Sequence, residues 1–285
     1  MRILVVVQAR VGSSRFPGKV LLPLEDQPLL LRLLERVSGA TTRFEMVVAT
    51  TTEREDDEVA SLARAAGYDV FRGHKDDLLD RHFQAARARE ADVVVKIPSD
   101  CPLIDPAVID LVLSVFAAHQ GEVDFVSNLH PATYPDGHDV EVMSFAALEC
   151  AWHEAKAPYQ REHTTPFIWD QPERFRVRNV TWPGGRDLSM SHRFTIDYPE
   201  DYTFISAIYQ RLYRPEDPIF RLEEILDLLE AEPHLRAINA DYVGVNWYRH
   251  HLDALSTVSP TETRTAPLRP PRAAQLQDLR PRPKT

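Results

Sequence analysis

The chain has 285 residues, of which 44% are hydrophobic and 27% are charged, and its formal net charge is −10. A chain of this size can bury the core of one large domain or two small ones. The acidic balance argues against a general nucleic-acid binder, which would need a basic surface, but it leaves room for a small anionic ligand.

The two cysteines stand apart from any Cys/His cluster, which argues against a disulfide framework or a zinc site and fits a reducing compartment. The apolar run at the N-terminus is too short for a signal peptide or a membrane span, and no later run reaches about 18 apolar residues. We therefore expect a soluble, cytoplasmic protein that binds neither nucleic acid nor membrane.

Strand and helix patterns alternate along the first half of the chain. Short apolar runs predict strands over residues 3–7, 45–50, 69–71, 92–97 and 124–127. Amphipathic periodicity predicts helices over residues 28–38, 54–66, 76–90 and from Asp105-Pro106 to about 119, where Asp is a helix cap and Pro opens the first turn. The alternation predicts an α/β fold with a mostly parallel sheet.

The pattern becomes irregular after about residue 130. Residues 131–190 carry loops, short extended stretches and one helix near 145–156, so we expect a small inserted lobe for substrate binding or dimerisation. A short strand over 194–196 and helices over 199–213 and 219–231 follow.

The end of the chain differs in composition from the rest. Residues 257–285 are rich in proline and arginine and poor in large apolar residues, which predicts a disordered tail after a domain of residues 1–256.

The loop QARVGSSRFPGKVL, residues 8–21, leaves the first predicted strand at its carboxyl end, where open α/β sheets bind ligands. Gly12 and Gly18 allow close backbone approach, and successive N–H groups in such a loop can bind an anion. Arg10, Arg15 and Lys19 would neutralise its charge, and a triphosphate is the simplest ligand that needs all three. The spacing matches neither a Walker A loop nor GxGxxG, and a solvated loop with incidental cations is the alternative.

Five further motifs follow in order along the chain: FRGHKDDLLDRHFQAA (71–86), PSDCPLIDPAVID (98–110), YPDGHDVEV (134–142), REHTTPFIW (161–169) and HRFTIDYPEDYTFI (192–205). Together with the first loop they resemble the sugar cytidylyltransferases, the group of the CMP-Kdo and CMP-sialic acid synthetases. The match is closer to the spore-coat polysaccharide branch of that family, and it covers about residues 1–210.

The resemblance implies a Rossmann-like nucleotide-diphospho-sugar transferase fold and a homodimer. It also implies transfer of CMP from CTP to a sugar or sugar acid with loss of pyrophosphate and with Mg²⁺, in polysaccharide or glycoconjugate precursor synthesis. Carried onto this sequence, it makes Arg10, Arg15 and Lys19 ligands of the triphosphate. It makes Asp100 and Asp197 ligands of the metal, and the catalytic set is Arg10, Lys19, Asp100 and Asp197.

The residues themselves support part of this assignment. Asp100 follows a predicted strand at its carboxyl end, although it could also be a cap or turn residue. Asp197 precedes a predicted helix and could be its N-cap. The nucleotide site as a whole is predicted to comprise Ala9, Arg10, Gly12, Ser13, Arg15, Lys19, Ala49, Thr50, Arg72 and Ser99.

The pyrimidine would lie against the small residues that end the second strand, with Arg72 closing the pocket. For Thr50 and its neighbour Thr51, helix capping is the alternative interpretation.

Polar and charged residues crowd the irregular segment as an acceptor site would need, namely Asp136, Asp139, Glu141, Arg161 and His163. Arg161 could pair with an acceptor carboxylate, because its planar fork matches two oxygens, or it could form an internal salt bridge. His163 is a candidate base, with a structural role as the alternative.

Two other functions stay open at the level of the sequence. A glycosyltransferase of related fold would use a nucleotide sugar, but Asp100-Cys101-Pro102 lacks the second Asp of the usual DxD motif. A non-catalytic nucleotide-binding protein would leave the joint presence of Arg10, Lys19, Asp100 and Asp197 unexplained.

Overall fold

A seven-stranded sheet organises residues 1–269, the part of the chain that the computed structural model describes. Over this range the strands are β1 (Ile3–Gln8), β2 (Pro23–Leu24), β3 (Gln27–Pro28), β4 (Glu45–Thr51), β5 (Asp69–Gly73), β6 (Val93–Pro98), β7 (Phe125–Ser127), β8 (Glu141–Ser144) and β9 (Val177–Asn179). Strands β2 and β3 form a separate antiparallel pair, and the others lie in the order β5-β4-β1-β6-β8-β7-β9.

Helices cover both faces of this sheet. Within residues 1–269 they are α1 (Leu29–Ser38), α2 (Asp57–Ala65), α3 (Leu78–Ala88), α4 (Pro106–Ala118), α5 (Phe145–Glu154), α6 (Pro158–His163), α7 (Pro166–Trp169), α8 (Pro199–Leu212) and α9 (Leu222–Ala231). Short 3₁₀ turns lie at Lys19–Leu21, Arg54–Asp56, Pro183–Gly185, Pro233–Ala237, Ala240–Tyr242, Trp247–His250 and Pro260–Glu262. None of the helices described in this range has both the length and the apolar character needed to cross a bilayer.

The sheet is parallel where the first half of the chain builds it. Strands β5, β4, β1 and β6 are parallel neighbours, which confirms the α/β prediction. Alternate side chains of β1 enter two apolar clusters, Val5 and Val7 on one face and Leu4 and Val6 on the other. Residues 3–7 of β1 are apolar, as expected of a strand that is buried on both faces, and the polar residues begin with Gln8 at its carboxyl end.

The segment 131–190 is part of the sheet rather than a lobe beside it. It supplies β8, which lies between β6 and β7 and runs antiparallel to both, and β9, which extends the edge beyond β7. The segment that was expected to form an inserted lobe therefore contributes two strands to the central sheet. It also contains helices α5, α6 and α7.

The expected strand over 194–196 is wrong. This stretch is an irregular connection that two backbone hydrogen bonds hold in position. Phe194 N–H donates to Asp136 O (2.6 Å), and Ile196 N–H donates to Asp100 O (2.8 Å). Its hydrogen bonds go to two loops, those of Asp136 and Asp100, instead of to one neighbouring strand. Residues 194–196 thus connect both loops to the start of α8.

The first part of the predicted disordered tail makes ordered contacts. Asp170 accepts hydrogen bonds from the N–H groups of Ser256 (2.9 Å) and Thr257 (2.7 Å), and Arg264 N–H donates to Gly244 O (2.7 Å). Residues 257–269 therefore make specific contacts with the rest of the domain, which a disordered segment would not make. The prediction for residues 270–285 lies outside the described residues.

Candidate active site

A cavity of about 430 Å³ opens at the carboxyl ends of β1 and β6. It contains most of the residues that the sequence singled out, and these are Ala9, Arg10, Gly12, Ser13, Arg15, Lys19, Ser99, Asp100, Asp136, Asp139, His163 and Asp197. Five separate stretches of the chain thus meet in one place, which no local pattern in the sequence could establish.

The first loop is folded so that Lys19 points inward. Gly18 adopts a φ of +74°, in the left-handed region that favours glycine, and its N–H donates to Val11 O (2.9 Å). Val11 N–H in turn donates to the buried carboxylate of Asp56 (2.6 Å), which also accepts from the Thr51 hydroxyl. Asp56 therefore links the loop to Thr51 at the end of β4, and other residues of the loop line the cavity.

Lys19 joins the two distant carboxylates. Its ammonium is 2.9 Å from Asp100 Oδ2 and 3.3 Å from Asp197 Oδ1, and its side chain is 9% exposed. Burial alone would lower the pKa of Lys19, but the two carboxylates outweigh burial and raise it above its ordinary value. Both acids therefore contact one ammonium that belongs to the predicted triphosphate loop.

Asp197 is surrounded by cations. Besides Lys19 it contacts Arg15 (2.6 Å) and Arg193 (3.1 Å). Burial opposes ionisation, but the attraction of Lys19, Arg15 and Arg193 is stronger and lowers the pKa of Asp197 below its usual range. The carboxylate is thus held ionised.

Asp197 does not serve as the cap of α8. Tyr198 is the N-cap residue, and Asp201 in the first turn of α8 accepts through Oδ2 from the N–H groups of Asp197 (2.9 Å) and Tyr198 (3.0 Å). The helix-capping alternative is therefore satisfied by a different carboxylate, and both oxygens of Asp197 face side-chain cations.

Two more carboxylates lie next to Asp100. Burial, together with the charges of Asp136 and Asp100, raises the pKa of Asp139. Burial also raises the pKa of Asp136, although Arg193 at 3.0 Å opposes that effect. Gly137 brings these acids close to the 192–205 motif, since it has a φ of +106° and a side chain there would overlap the backbone of Phe194.

The donor set suits a hard divalent cation. Mg²⁺ takes one or two carboxylates and completes its shell with phosphate oxygens and water. Asp100 and Asp197 line the cavity as such a pair, and a cation there would relieve the repulsion between Asp100 and its acidic neighbours. Within residues 1–269, no three His, Cys, Asp or Glu side chains converge into a metal-binding group of their own.

Three predicted nucleotide residues, Ala49, Thr50 and Arg72, are not among those that line this cavity. Ala49 and Thr50 are fully buried on β4. Arg72 donates to Thr51 O (2.7 Å) and Glu53 O (2.8 Å) and pairs with Asp57, so its guanidinium is already occupied.

Two predicted acceptor residues are occupied by internal partners. Glu141 pairs with Lys96, which itself lines the cavity. Arg161 contacts Asp77 through Nε (2.8 Å) and Nη2 (2.6 Å), so the internal salt bridge is the arrangement found. Asp77 also caps α3, and the pair therefore ties α6 to α3.

Arg193 is a central residue to which the sequence reasoning gave no role. It is 2% exposed and contacts Asp136, Asp197 and Asp201. Its position four residues before Asp197, within the quoted HRFTID stretch, is the signal that could have identified it.

Arg81 is the second missed residue, and it lines the cavity from α3. It is 3% exposed, and among residues 1–269 its Nε and Nη1 atoms have no hydrogen-bond partner. Gln8 Oε1 and Thr50 Oγ1 are likewise buried without a partner. Buried donors and acceptors without partners are costly, and Arg81 and Gln8 line the cavity, so these atoms are in position to bond a ligand there.

His163 also lines the cavity, stacked on Trp247 with ring centroids 3.8 Å apart. Burial lowers the pKa of His163 to about 3, so the ring is neutral near pH 7. Trp247 belongs to a C-terminal stretch that the sequence reasoning left without a function.

Comparisons with known proteins identify the family of this chain. The family model described as "Cytidylyltransferase" matches residues 4–228. The chain is 31% identical over 236 residues to the spore coat polysaccharide biosynthesis protein SpsF of Bacillus subtilis, covering 81% of this chain and 95% of that protein. It is 30% identical over 251 residues to the 8-amino-3,8-dideoxy-manno-octulosonate cytidylyltransferase of Shewanella pealeana, covering 85% of this chain and 88% of that one.

A solved structure supports the same grouping. A cytidylyltransferase from Leptospira borgpetersenii matches with a TM-score of 0.77 and 33% identity, over 82% of this chain and 96% of that chain. On the family model and these relatives, the chain belongs to the cytidylyltransferase family.

Proposed function

We propose that this cytidylyltransferase transfers CMP from CTP to a sugar acid, releases pyrophosphate and works with Mg²⁺. The observation that carries the proposal is the contact of Lys19 with both Asp100 and Asp197 inside the cavity. A nucleoside triphosphate needs cations and metal-binding carboxylates at one point, and these three side chains supply both. The name of the Shewanella relative, an octulosonate cytidylyltransferase, supports a sugar acid as acceptor.

The cations of the first loop bind the phosphates. Arg15 is 42% exposed, so it can turn from Asp197 to a phosphate without disturbing the core. Arg10 is held by a hydrogen bond from Nη1 to Lys75 O (3.1 Å). Phosphoryl transfer depends mostly on positioning and charge neutralisation, so the protein needs no nucleophile of its own.

Asp100 and Asp197 would hold Mg²⁺, which neutralises phosphate charge when it is bound. Arg193 positions Asp197 from the side away from Lys19, because it bonds Oδ2 while Lys19 and Arg15 contact Oδ1.

In the reaction, an acceptor hydroxyl oxygen bonds to the α-phosphorus, and the bond from that phosphorus to the α,β-bridging oxygen breaks. Pyrophosphate leaves with the bridging oxygen, and the hydroxyl proton passes to water. His163 is poorly suited to take that proton, since burial lowers its pKa to about 3.

The test is pyrophosphate release from CTP with a panel of 2-keto-3-deoxy sugar acids. We expect pyrophosphate only when CTP and an acid are both present, its loss on chelation with EDTA and its return on adding Mg²⁺. Nucleoside diphosphate formed from a nucleotide sugar would instead indicate a glycosyltransferase. Pyrophosphate release that persists in EDTA would contradict the metal requirement.

The homodimer stays a prediction of the family resemblance. Sedimentation equilibrium of the full chain would give twice the monomer mass if it is correct, and the monomer mass if it is wrong.

A further inference from the structure

One wall of the cavity comes from the C-terminal segment, which we define as residues 239–251. Val245, Asn246, Trp247, His250 and His251 of this segment line the cavity. The segment follows residue 228, the last residue matched by the family model. This wall is therefore a feature of the present chain beyond the part that the family model describes.

Hydrogen bonds fix the C-terminal segment to Arg193 and Asp201, next to Asp197. Buried Asn239 donates from Nδ2 to Arg193 O and to Asp201 Oδ1, both at 3.0 Å. Arg193 Nη1 donates to Val245 O (2.9 Å) while Nη2 contacts Asp197. Trp247, two residues after Val245, thus has a set position relative to Asp197.

The wall is aromatic and carries no permanent charge where it meets the cavity. Trp247 stacks on His163 at an interplanar angle of 16°, and the rings of Tyr248 and His251 lie 4.7 Å and 5.8 Å from it. A triphosphate needs cations, which the first loop provides. Trp247 offers an uncharged aromatic surface, with the amide of Asn246 and the imidazoles of His250 and His251 beside it. Such a surface suits a sugar ring, which has apolar C–H groups on one face and hydroxyls at its edge.

We infer that Trp247, supported by its stack on His163, is a specificity residue on which the sugar ring of the acceptor packs. The inference rests on the proposed function, because it takes the acceptor to be a sugar acid. Two hydrogen bonds fix the side chain of Asn246, because its Oδ1 accepts from Tyr248 N–H and one hydrogen of its amide donates to Glu262 O. The second amide hydrogen is left for a polar contact to the same ring.

The decisive comparison is the full-length wild type with Trp247→Ala and Trp247→Phe. CTP affinity is measured by calorimetry, and acceptor KM and kcat by pyrophosphate release with 2-keto-3-deoxy sugar acids of six, eight and nine carbons. Loss of an aromatic contact raises KM by about tenfold, so we expect that rise in Trp247→Ala for an acid that the wild type uses. We expect a smaller rise in Trp247→Phe, and CTP affinity within about twofold of wild type in both.

Trp182→Ala is the matched control. Trp182 packs against Tyr134 with centroids 5.0 Å apart, outside this cavity, so it should lose stability without a change in acceptor KM. An unchanged acceptor KM in Trp247→Ala, or an equal weakening of CTP binding, would overturn the role of Trp247 and leave the proposed function standing. A wild type that binds CTP but uses none of the acids would overturn both.

Discussion

At the scale of single residues, the site keeps Lys19 and Asp197 charged, although they are largely buried, by surrounding each with groups of opposite charge. Lys19 remains protonated because Asp100 and Asp197 outweigh the cost of its burial, and Asp197 remains ionised because three cations face it. Such pairs are strongly interdependent, so substitutions should preserve shape and remove one charge at a time.

Asp100→Asn tests the charge of that carboxylate. The amide oxygen can still accept a hydrogen bond from Lys19, so we expect the free energy of unfolding to fall by only about 1–2 kcal/mol. Turnover should fall by at least about 100-fold, because a preorganised electrostatic group is lost. Pyrophosphate release and urea unfolding give the two quantities.

Asp124→Asn makes the same chemical change at a carboxylate outside the cavity, where Asp124 pairs with exposed Arg176. Its turnover should match wild type. If Asp100→Asn also stayed within threefold of wild type, Asp100 would have no part in the reaction.

Arg81→Met tests the buried guanidinium without a protein partner. Burial, assisted by the charge of Arg10, lowers the pKa of Arg81 to about 10, which shows how little the protein itself does to stabilise this cation. Met keeps the apolar stem that packs against Gly73, where a side chain would come within 3.2 Å of Arg81 Cγ.

We therefore expect the melting temperature of Arg81→Met to equal or exceed that of wild type. The dissociation constant for CTP should rise by at least about tenfold, the value of a lost charged hydrogen bond. Calorimetric titration with CTP measures it. A lower melting temperature combined with unchanged CTP affinity would show that Arg81 has a structural role.

At the scale of elements, one carboxylate positions two helices. Asp105 caps α4 by accepting from Ala107 N–H (2.8 Å), and it also accepts from Leu222 N–H (2.8 Å) at the start of α9. Helix α9 accordingly begins three residues later than the amphipathic pattern predicts, because a contact distant in sequence fixes its first turn.

Asp105→Ala should lower the free energy of unfolding by about 2 kcal/mol or more, because a cap and a second buried hydrogen bond are lost together. Asp105→Asn keeps one acceptor oxygen and should lose less. Urea unfolding of both variants checks the order, and the CTP affinity of each folded protein should equal that of wild type. An Asn variant as unstable as the Ala variant would contradict the capping argument.

The elements also show what a sequence can and cannot predict. The parallel strands and their helices were predicted because burial on two faces and helical periodicity are local signals. The position of β8 was not, since the choice of β6 and β7 as partners depends on packing between distant segments. Arg161 could not be assigned for the same reason, because its partner Asp77 is 84 residues away.

At the scale of the whole molecule, several histidines are buried as neutral rings. Burial lowers the pKa of His82 and of His130 to about 3 each, against an ordinary value of 6.5. Between those values the unfolded chain binds more protons than the folded one. The free energy of unfolding should therefore fall as the pH is lowered from about 6.5 towards 3.

His82→Phe isolates one of these groups. The variant should show a weaker pH dependence of unfolding between pH 4 and 6, with a slope reduced by up to about 1.4 kcal/mol per pH unit, the value for one proton. Urea unfolding across that range measures the slope in both proteins. Parallel curves for variant and wild type would mean that His82 does not take up a proton on unfolding.

The contacts of Arg193 have a consequence for how the protein is made. Its guanidinium contacts Asp136 and Val245, which lie on opposite sides of it in the chain. During translation the loop of residues 8–21 is made more than 200 residues before Val245, which completes the contacts of Arg193. The guanidinium of Arg193 therefore gains its full set of contacts only after Val245 has been synthesised.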